Sequence, residues 1–600
     1  MRHLITFHLR VLVLGILACS LYAENTTPTA STATEKNSPK INFVTSEEAL
    51  EDSIHADLDC TDCHFDLERD DQGEVKLAGE VSCEDCHDDV TDSMSASVHG
   101  PNALDGLDIT VRCQDCHGAH DILEIDDPQS KLGKRKIART CAPCHGSNRG
   151  QDHIFEAYLG DVHGKSLVVE GTVVSPSCLD CHGEAHTLLP ADDSSSASHP
   201  HNVAELCGTC HLGMIPEYEA SVHGQLVSDG EEGAPTCTTC HKAHGIVPTG
   251  DSFNHIADKT CGTCHEDRYE QYLQTYHGRV RSLGNAHVAS CYDCHGSHNI
   301  GSDMIPNPIE GEQKIQTCRK CHINAPEGFA SYLAHGDADD ASNFPLLYWP
   351  TKATHALILA ALAFLVLHTF GWNLRRRWLA HSGSMKRPSK RPFRMLRSID
   401  RWCYQITVSG FVLLAISGLP LKFYGHAWAQ MTFKILGGSE IAAGVHRIGA
   451  SLVFIAILLH LVSLIAPLWL GRKQNQEEAS RQPLLKALFG PKSPLPGWND
   501  FLSLWHHLKW MLGKEEKPLV QGMLYWEKLD YLALVLGIAI LAMTGLTMWV
   551  PEWVTLVFPG WILNIASIIH SNEALLALLL FFAIHITHYW NHRPVSNPRS

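Results

Sequence analysis

The sequence predicts a mainly α chain in two unlike parts: a cysteine- and histidine-rich first part with little regular structure, then a bundle of five membrane-crossing helices. Three observations predict it. The pentapeptide Cys-x-x-Cys-His recurs ten times between residues 60 and 322 and uses 20 of the 22 cysteines. Composition changes sharply near Leu346. Five apolar segments follow, each reaching the roughly 20 residues that a bilayer core demands. Charge divides in the same place: residues 1–350 hold 54 acidic and 22 basic side chains (net −32), and residues 351–600 hold 11 and 25 (net +14). Such a chain is neither a small disulfide scaffold nor one uniform soluble globule, and its acidic half argues against nucleic-acid binding.

Residues 1–23 read as an export signal. Arg2 and Arg10 precede a short apolar core, then small residues suited to cleavage after Ala23. The run Ile16-Leu17-Ala18-Cys19 offers an imperfect lipoprotein-type alternative. Residues 24–45 are rich in Thr, Ser, Ala and Pro without apolar period and should form a disordered leader. Residues 46–345 then form the motif-bearing domain and residues 346–600 the membrane domain.

In Cys-x-x-Cys-His the two thiols stand at the spacing that adds across the two vinyl groups of one haem, and the adjacent imidazole binds iron from the proximal side. The thiol pairs are Cys60 and Cys63, Cys83 and Cys86, Cys113 and Cys116, Cys141 and Cys144, Cys178 and Cys181, Cys207 and Cys210, Cys237 and Cys240, Cys261 and Cys264, Cys291 and Cys294, and Cys318 and Cys321. The proximal histidines are His64, His87, His117, His145, His182, His211, His241, His265, His295 and His322. Zinc ribbons do not demand a histidine after every second cysteine, and thioredoxin-like motifs occur once. Disulfides would give no reason for ten histidines. Ten covalent haem c groups are therefore expected.

Each iron needs a sixth ligand or an open face for substrate. Six histidines, His55, His99, His163, His223, His277 and His335, mostly sit in an x-His-Gly element, with Ala following His55. Four more, His120, His186, His244 and His298, follow a motif by three or four residues. Six and four match the number of motifs, so these ten are the candidate distal ligands. His153, His199, His201, His255 and His287 remain as spares, read as solvated or propionate-contacting side chains.

These elements make an internal repeat. The x-His-Gly histidines from His99 onward advance by 64, 60, 54 and 58 residues, and each step carries two motifs, behind a shorter first unit. With roughly 30 residues per haem, the porphyrins must supply much of the apolar core, wrapped by short helices and loops. Apo-protein should be largely unfolded, because cofactor binding here is folding energy.

The five apolar segments run over about residues 355–374, 404–424, 441–470, 529–550 and 561–590. Residues 375–401 carry ten Lys or Arg against one acid, Asp400, and residues 471–528 carry nine more basic side chains, so both loops should be cytoplasmic. The motif-bearing part then lies outside, as thioether haem attachment in bacteria requires, and the C-terminus lies inside. Lys352 and Arg401 read as membrane-edge anchors.

Histidine inside hydrocarbon is costly enough to read as functional. In the third segment His446 and His460 are fourteen residues apart, about 40° off one face and about 21 Å along the axis. In the fifth, His570 and His585 are fifteen apart, about 60° and about 22 Å. The two segments run parallel, so His446 should meet His570 near the outer face and His460 should meet His585 near the cytoplasm, one haem b to each pair. His588 competes with His585. His355 and His368 of the first segment, about 140° apart, suit no shared face. Arg447 is a candidate propionate partner and Glu573 a candidate proton acceptor, with a helix-end carboxylate as its alternative reading.

The last 250 residues resemble the di-haem cytochrome b subunits of formate dehydrogenases and nickel-iron hydrogenases, through HRIGASLVFIAILLH (446–460), HSNEALLA (570–577) and HITHYWNHRP (585–594). The whole arrangement is similar to inner-membrane menaquinol-oxidising cytochromes of metal-respiring bacteria. One departure stands out: Trp402, Cys403 and Tyr404 occupy the place where relatives commonly carry His-Trp, which leaves either the pairing above or a ligand from His368. The resemblance implies a quinol-oxidising oxidoreductase of anaerobic or extracellular respiration. Electrons from menaquinol would pass by the b haems and the c haems to periplasmic or outer-membrane cytochromes that dock on an acidic surface. Alternatives are a reductase of a small oxyanion, which needs an open iron position, the same chain running in reverse as a quinone reductase, and a passive membrane-anchored carrier.

Overall fold

The computed structural model describes residues 47–65, 67–69, 75–77, 81–100, 111–146, 153–382, 398–470, 493, 495–518 and 523–591. The expected export signal and leader lie outside them, as do the side chains of His585 and His588. The chain is mainly helical. The β structure among the described residues is one short antiparallel ribbon, Leu67–Arg69 with Val75–Leu77.

Contacts divide the chain into two units: Pro28–Cys264 with Ser290–Glu310, and His265–Ala289 with Gly311–Ser600 and the undescribed Met1–Thr27. This differs from the compositional change at Leu346, since two stretches of the motif-rich sequence pack with the long helices.

In the first unit the motifs take two local forms. Some open a one-turn helix, as in Cys60–Cys63, Cys113–His117, Cys178–His182, Cys237–His241 and Cys291–His295. The residue between the cysteines reaches back to the amide just before the first of them: Asp62 accepts from Asp59 N at 2.9 Å, Asp180 from Ser177 N at 2.7 Å, and Asp293 from Ser290 N at 2.7 Å. An amide orphaned at the helix start is thereby satisfied. Other motifs close a helix that begins earlier, as in Ile137–His145, Val203–Gly208 and Ala257–Gly262, where Ile137, Val203 and Ala257 are buried.

The x-His-Gly elements share a second construction. Asp161 and Ser221 each cap a helix start by accepting from the glycine amide, at 2.8 and 3.1 Å. The preceding tyrosines, Tyr158 and Tyr218, donate through their hydroxyls to the Pro176 and Pro235 carbonyls. The glycine is forced by close approach: a Cβ at Gly164 or Gly224 would lie 2.0 Å from the Tyr158 or Tyr218 carbonyl oxygen. Gly224→Ala should therefore destabilise by at least the roughly 3 kcal/mol of severe overpacking, read as a fall in midpoint denaturant concentration.

A further backbone strap joins successive repeats. The amide just before each x-His-Gly histidine donates to the carbonyl two residues beyond a distal histidine of the later repeat: Ile54 to Ile122, Val98 to Leu188, Val162 to Ile246 and Val222 to Ile300, at 2.8–3.2 Å.

In the second unit, five helices are long and apolar enough to cross a membrane: Pro345–His381, Ser398–Lys422, Ser439–Leu470, Tyr525–Trp549 and Trp561–Asn591. The second packs on the third, the fourth on the fifth, and the first on the fifth. Gly410 and Gly449 bring the second and third helices close, since a Cβ on Gly410 would lie 2.8 Å from the Gly449 carbonyl. A short helix, Ala427–Leu436, follows the second span, and Leu283 buries against its Ala429 and Phe433. Ile315 and Phe329 bury against Leu563 at the start of the fifth helix. Between the third and fourth spans, Trp498–Met511 is tied to the fourth by the fully buried Lys528, 2.9 Å from Asp500.

Candidate functional site

The expected ligand classes meet in eight pairs. Seven pairs lie in the first unit, each joining a motif histidine to one outside the motifs: His87 with His55, His64 with His120, His145 with His99, His117 with His186, His211 with His163, His182 with His244, and His241 with His298. In the second unit His322 faces His277. Ring centroids in all eight stand 5.9–6.3 Å apart. A metal–imidazole bond of about 2.0 Å, with the ligating nitrogen about 1.1 Å from its centroid, puts two imidazoles trans on one metal about 6.2 Å apart. The spacing therefore fits one iron between each pair. His223, His265, His295 and His335 make up the two classes, two in each; His335 Nδ1 stands 3.2 Å from the Arg268 carbonyl.

The pairing follows a rule. An x-His-Gly histidine faces a plain motif later in the chain, whereas a histidine that trails a motif faces the motif two before that one. Burial first, and then the facing imidazole, holds His99, His117, His182 and His241 below the usual histidine range. The thiols come in adjacent sets: Cys83 lies near Cys113, Cys141 near Cys178, Cys207 near Cys237, and Cys261 near Cys291. Of the spare histidines, His199 and His201 stack on one another at 5.3 Å.

The membrane helices repeat the geometry once more. His446 and His570 stand 6.2 Å apart between ring centroids. His446 Nδ1 is 3.0 Å from Ser417 Oγ on the second helix, and His570 Nδ1 is 2.9 Å from Thr544 Oγ1 on the fourth. Each hydroxyl donates its own proton to a carbonyl of its helix, Ser417 to Leu413 and Thr544 to Ile540, both at 2.7 Å. Each must then accept from the imidazole, which places the proton on Nδ1 and leaves the Nε2 lone pair for a metal. Gly418 and Gly545 follow these hydroxyls and clear space for the rings, 3.0 and 3.2 Å from the imidazole carbon to a would-be Cβ. The two Ser/Thr-Gly-Leu tripeptides, Ser417–Leu419 and Thr544–Leu546, are visible in the sequence and are the signal that the sequence reading passed over.

Other membrane candidates stand differently. His460 Nε2 lies 3.1 Å from the Tyr531 hydroxyl, and its expected partner His585 has its side chain outside the described residues. His368 Nε2 meets the Tyr525 hydroxyl within a cluster of Trp372, Trp526 and the fully buried His507. Sequence reasoning did not mark His507. Arg447 lies over the Trp549 ring at 5.4 Å. Glu573 lies against Gly537 of the fourth helix, and His355 is exposed.

The fold and these residues define a class: a multihaem c-type cytochrome with membrane-spanning helices. Within it, residues 53–146, which carry the motifs at Cys60, Cys83, Cys113 and Cys141, match the family model described as Cytochrome c3. Neither the curated proteins nor the solved structures compared with the chain match it.

Proposed function

We propose that the chain is a membrane-bound electron-transfer protein that oxidises menaquinol in the bilayer and delivers electrons to cytochromes on the side of its motif-rich part. The observation that carries this reading is one ring spacing, 5.9–6.3 Å, shared by eight motif pairs and by His446 with His570 inside the membrane bundle. Ten haem c and two haem b are the proposed complement, with His460 and His585 as the second b pair. Haem supplies one-electron transfer when bound.

The chain's own residues would do the rest. The paired thiols would tether the haem, and the facing imidazoles would hold its iron from both sides and keep small molecules off it. Ser417 and Thr544 hold the membrane imidazoles in the ligating tautomer. Glu573, one helical turn from His570, is the proposed acceptor of a quinol proton, and Arg447 a proposed partner for a propionate. The basic loops at 375–401 and 471–528 support a cytoplasmic placement for those loops and the opposite side for the motif-rich part. The acidic surface there suits basic partner cytochromes. A small-oxyanion reductase would need a motif histidine without a second imidazole opposite, and eight of the ten motif histidines have one.

The test is an anaerobic optical titration of the full-length holoprotein with a menaquinol analogue. The b-type bands should be reduced before the c-type bands, with a pyridine haemochrome c to b ratio near five to one. Reduction of c-type haem with no b-type signal present, or a high-spin iron signal that shifts on adding an oxyanion, would overturn the reading.

A further inference from the structure

The last motif differs from the seven between His64 and His241 in what holds its histidine. His322 Nδ1 stands 3.0 Å from Glu552 Oε1, both side chains about one-third exposed. Glu552 sits in the short helix Pro551–Val554 that follows the fourth long helix, so a carboxylate from the outer rim of the bundle meets a histidine 230 residues earlier in the chain. No carboxylate contacts the seven motif histidines from His64 to His241 among the described residues. Phe329 packs on the His322 ring at 4.8 Å, and an open cleft of about 370 Å³ beside it is lined by Cys321, His322, Ile323, Asn324, Glu552 and Trp553. The carboxylate accepts, so the imidazole proton lies on Nδ1 and the Nε2 lone pair is left free; His277 stands 6.3 Å away between ring centroids.

We infer that Glu552 is a positioning residue for His322: it fixes the ring's tautomer and orientation and gives the covalent haem at Cys318 and Cys321 a lower reduction potential than a neutral partner would. A carboxylate on the far nitrogen of a metal-bound imidazole raises that ligand's basicity and stabilises the oxidised metal. The inference rests on the proposed reading of Cys318–His322 as a haem attachment site. It adds that the membrane part itself sets the properties of this site.

The test uses full-length holoprotein with Glu552→Gln, which keeps an acceptor oxygen and removes the charge. Intact mass should still show ten haem additions, while about one tenth of the c-type amplitude in a redox titration moves to higher potential and one low-spin resonance in the electron paramagnetic spectrum shifts. If Glu552→Gln does not accumulate, Glu552→Asp, which draws the oxygen back by one methylene, should move the same component the same way by less. A fully haem-loaded variant whose titration superimposes on the wild type overturns the role of Glu552. A wild-type peptide spanning Cys318–His322 that carries no covalent haem overturns the reading beneath it, and the mass measurement tells the two failures apart.

Discussion

Replacing His570 with alanine should abolish the b-type haem proposed between His446 and His570 and slow the proposed quinol-driven reduction of the c-type haems by at least about 100-fold, since outer-shell changes alone cost roughly 10- to 100-fold at metal sites. The imidazole sits in a cage fitted to it: Thr544 takes its Nδ1 proton and Gly545 clears room for the ring. Alanine removes one axial nitrogen and leaves His446 facing empty space. His446→Ala should do the same from the opposite side. Ser417→Ala and Thr544→Val should be milder, because each leaves both ligating nitrogens and loses only the hydroxyl that orients one of them. The readouts are the haemochrome b to c ratio and stopped-flow reduction of the c-type bands by a menaquinol analogue. Retention of a full b-type signal in both histidine variants would end the assignment, while covalent haem content should stay at the wild-type value throughout.

The second large effect concerns folding. Expressed without covalent haem attachment, the motif-rich unit should be degraded or recovered as an unfolded chain, with a far-ultraviolet spectrum lacking most of its helix. The reason lies in what this unit buries. Among the described residues its buried apolar side chains are few and scattered, for example Ile137, Leu167, Val203, Val227 and Ala257. Most motif thiols are exposed or only half-buried. Its helices are at most about two and a half turns long, too short to persist in water without a tertiary partner. Facing imidazoles 6 Å apart, with tethering thiols beside them, describe a core whose apolar content comes from the prosthetic group, so removing the group removes the core. Limited proteolysis of apo-protein should cleave throughout residues 47–264 at rates typical of an unfolded chain. Stable, protease-resistant apo-protein would show that the polypeptide packs by itself.

Much of this was legible before any coordinates. The ten motifs and the two further histidine classes, six and four members that together match the motifs in number, are local patterns, set by the spacing that tethering and ligating one iron requires. The five long helices follow from the length of apolar sequence that a bilayer requires, and the meeting of His446 with His570 follows from helical pitch and the parallel course of the third and fifth segments. Glu552 on His322 was out of reach, because 230 residues separate them. The role of Ser417 and Thr544 was hidden for another reason: a hydroxyl in a membrane helix ordinarily bonds its own backbone, and only the packing of the second helix on the third and of the fourth on the fifth turns that hydroxyl toward a histidine.

The linear chain thus determined which side chains can attach and ligate, how many there are, and which stretches belong in lipid, since covalent spacing and hydrophobic length are properties of neighbours along the backbone. For the motif histidines, the tertiary structure alone decided which faces which. A one-to-one match of ten with ten permits many pairings, and the choice rests on where the straps from Ile54, Val98, Val162 and Val222 fold one repeat onto another. Those are backbone hydrogen bonds between distant residues, and their register is set by three-dimensional packing.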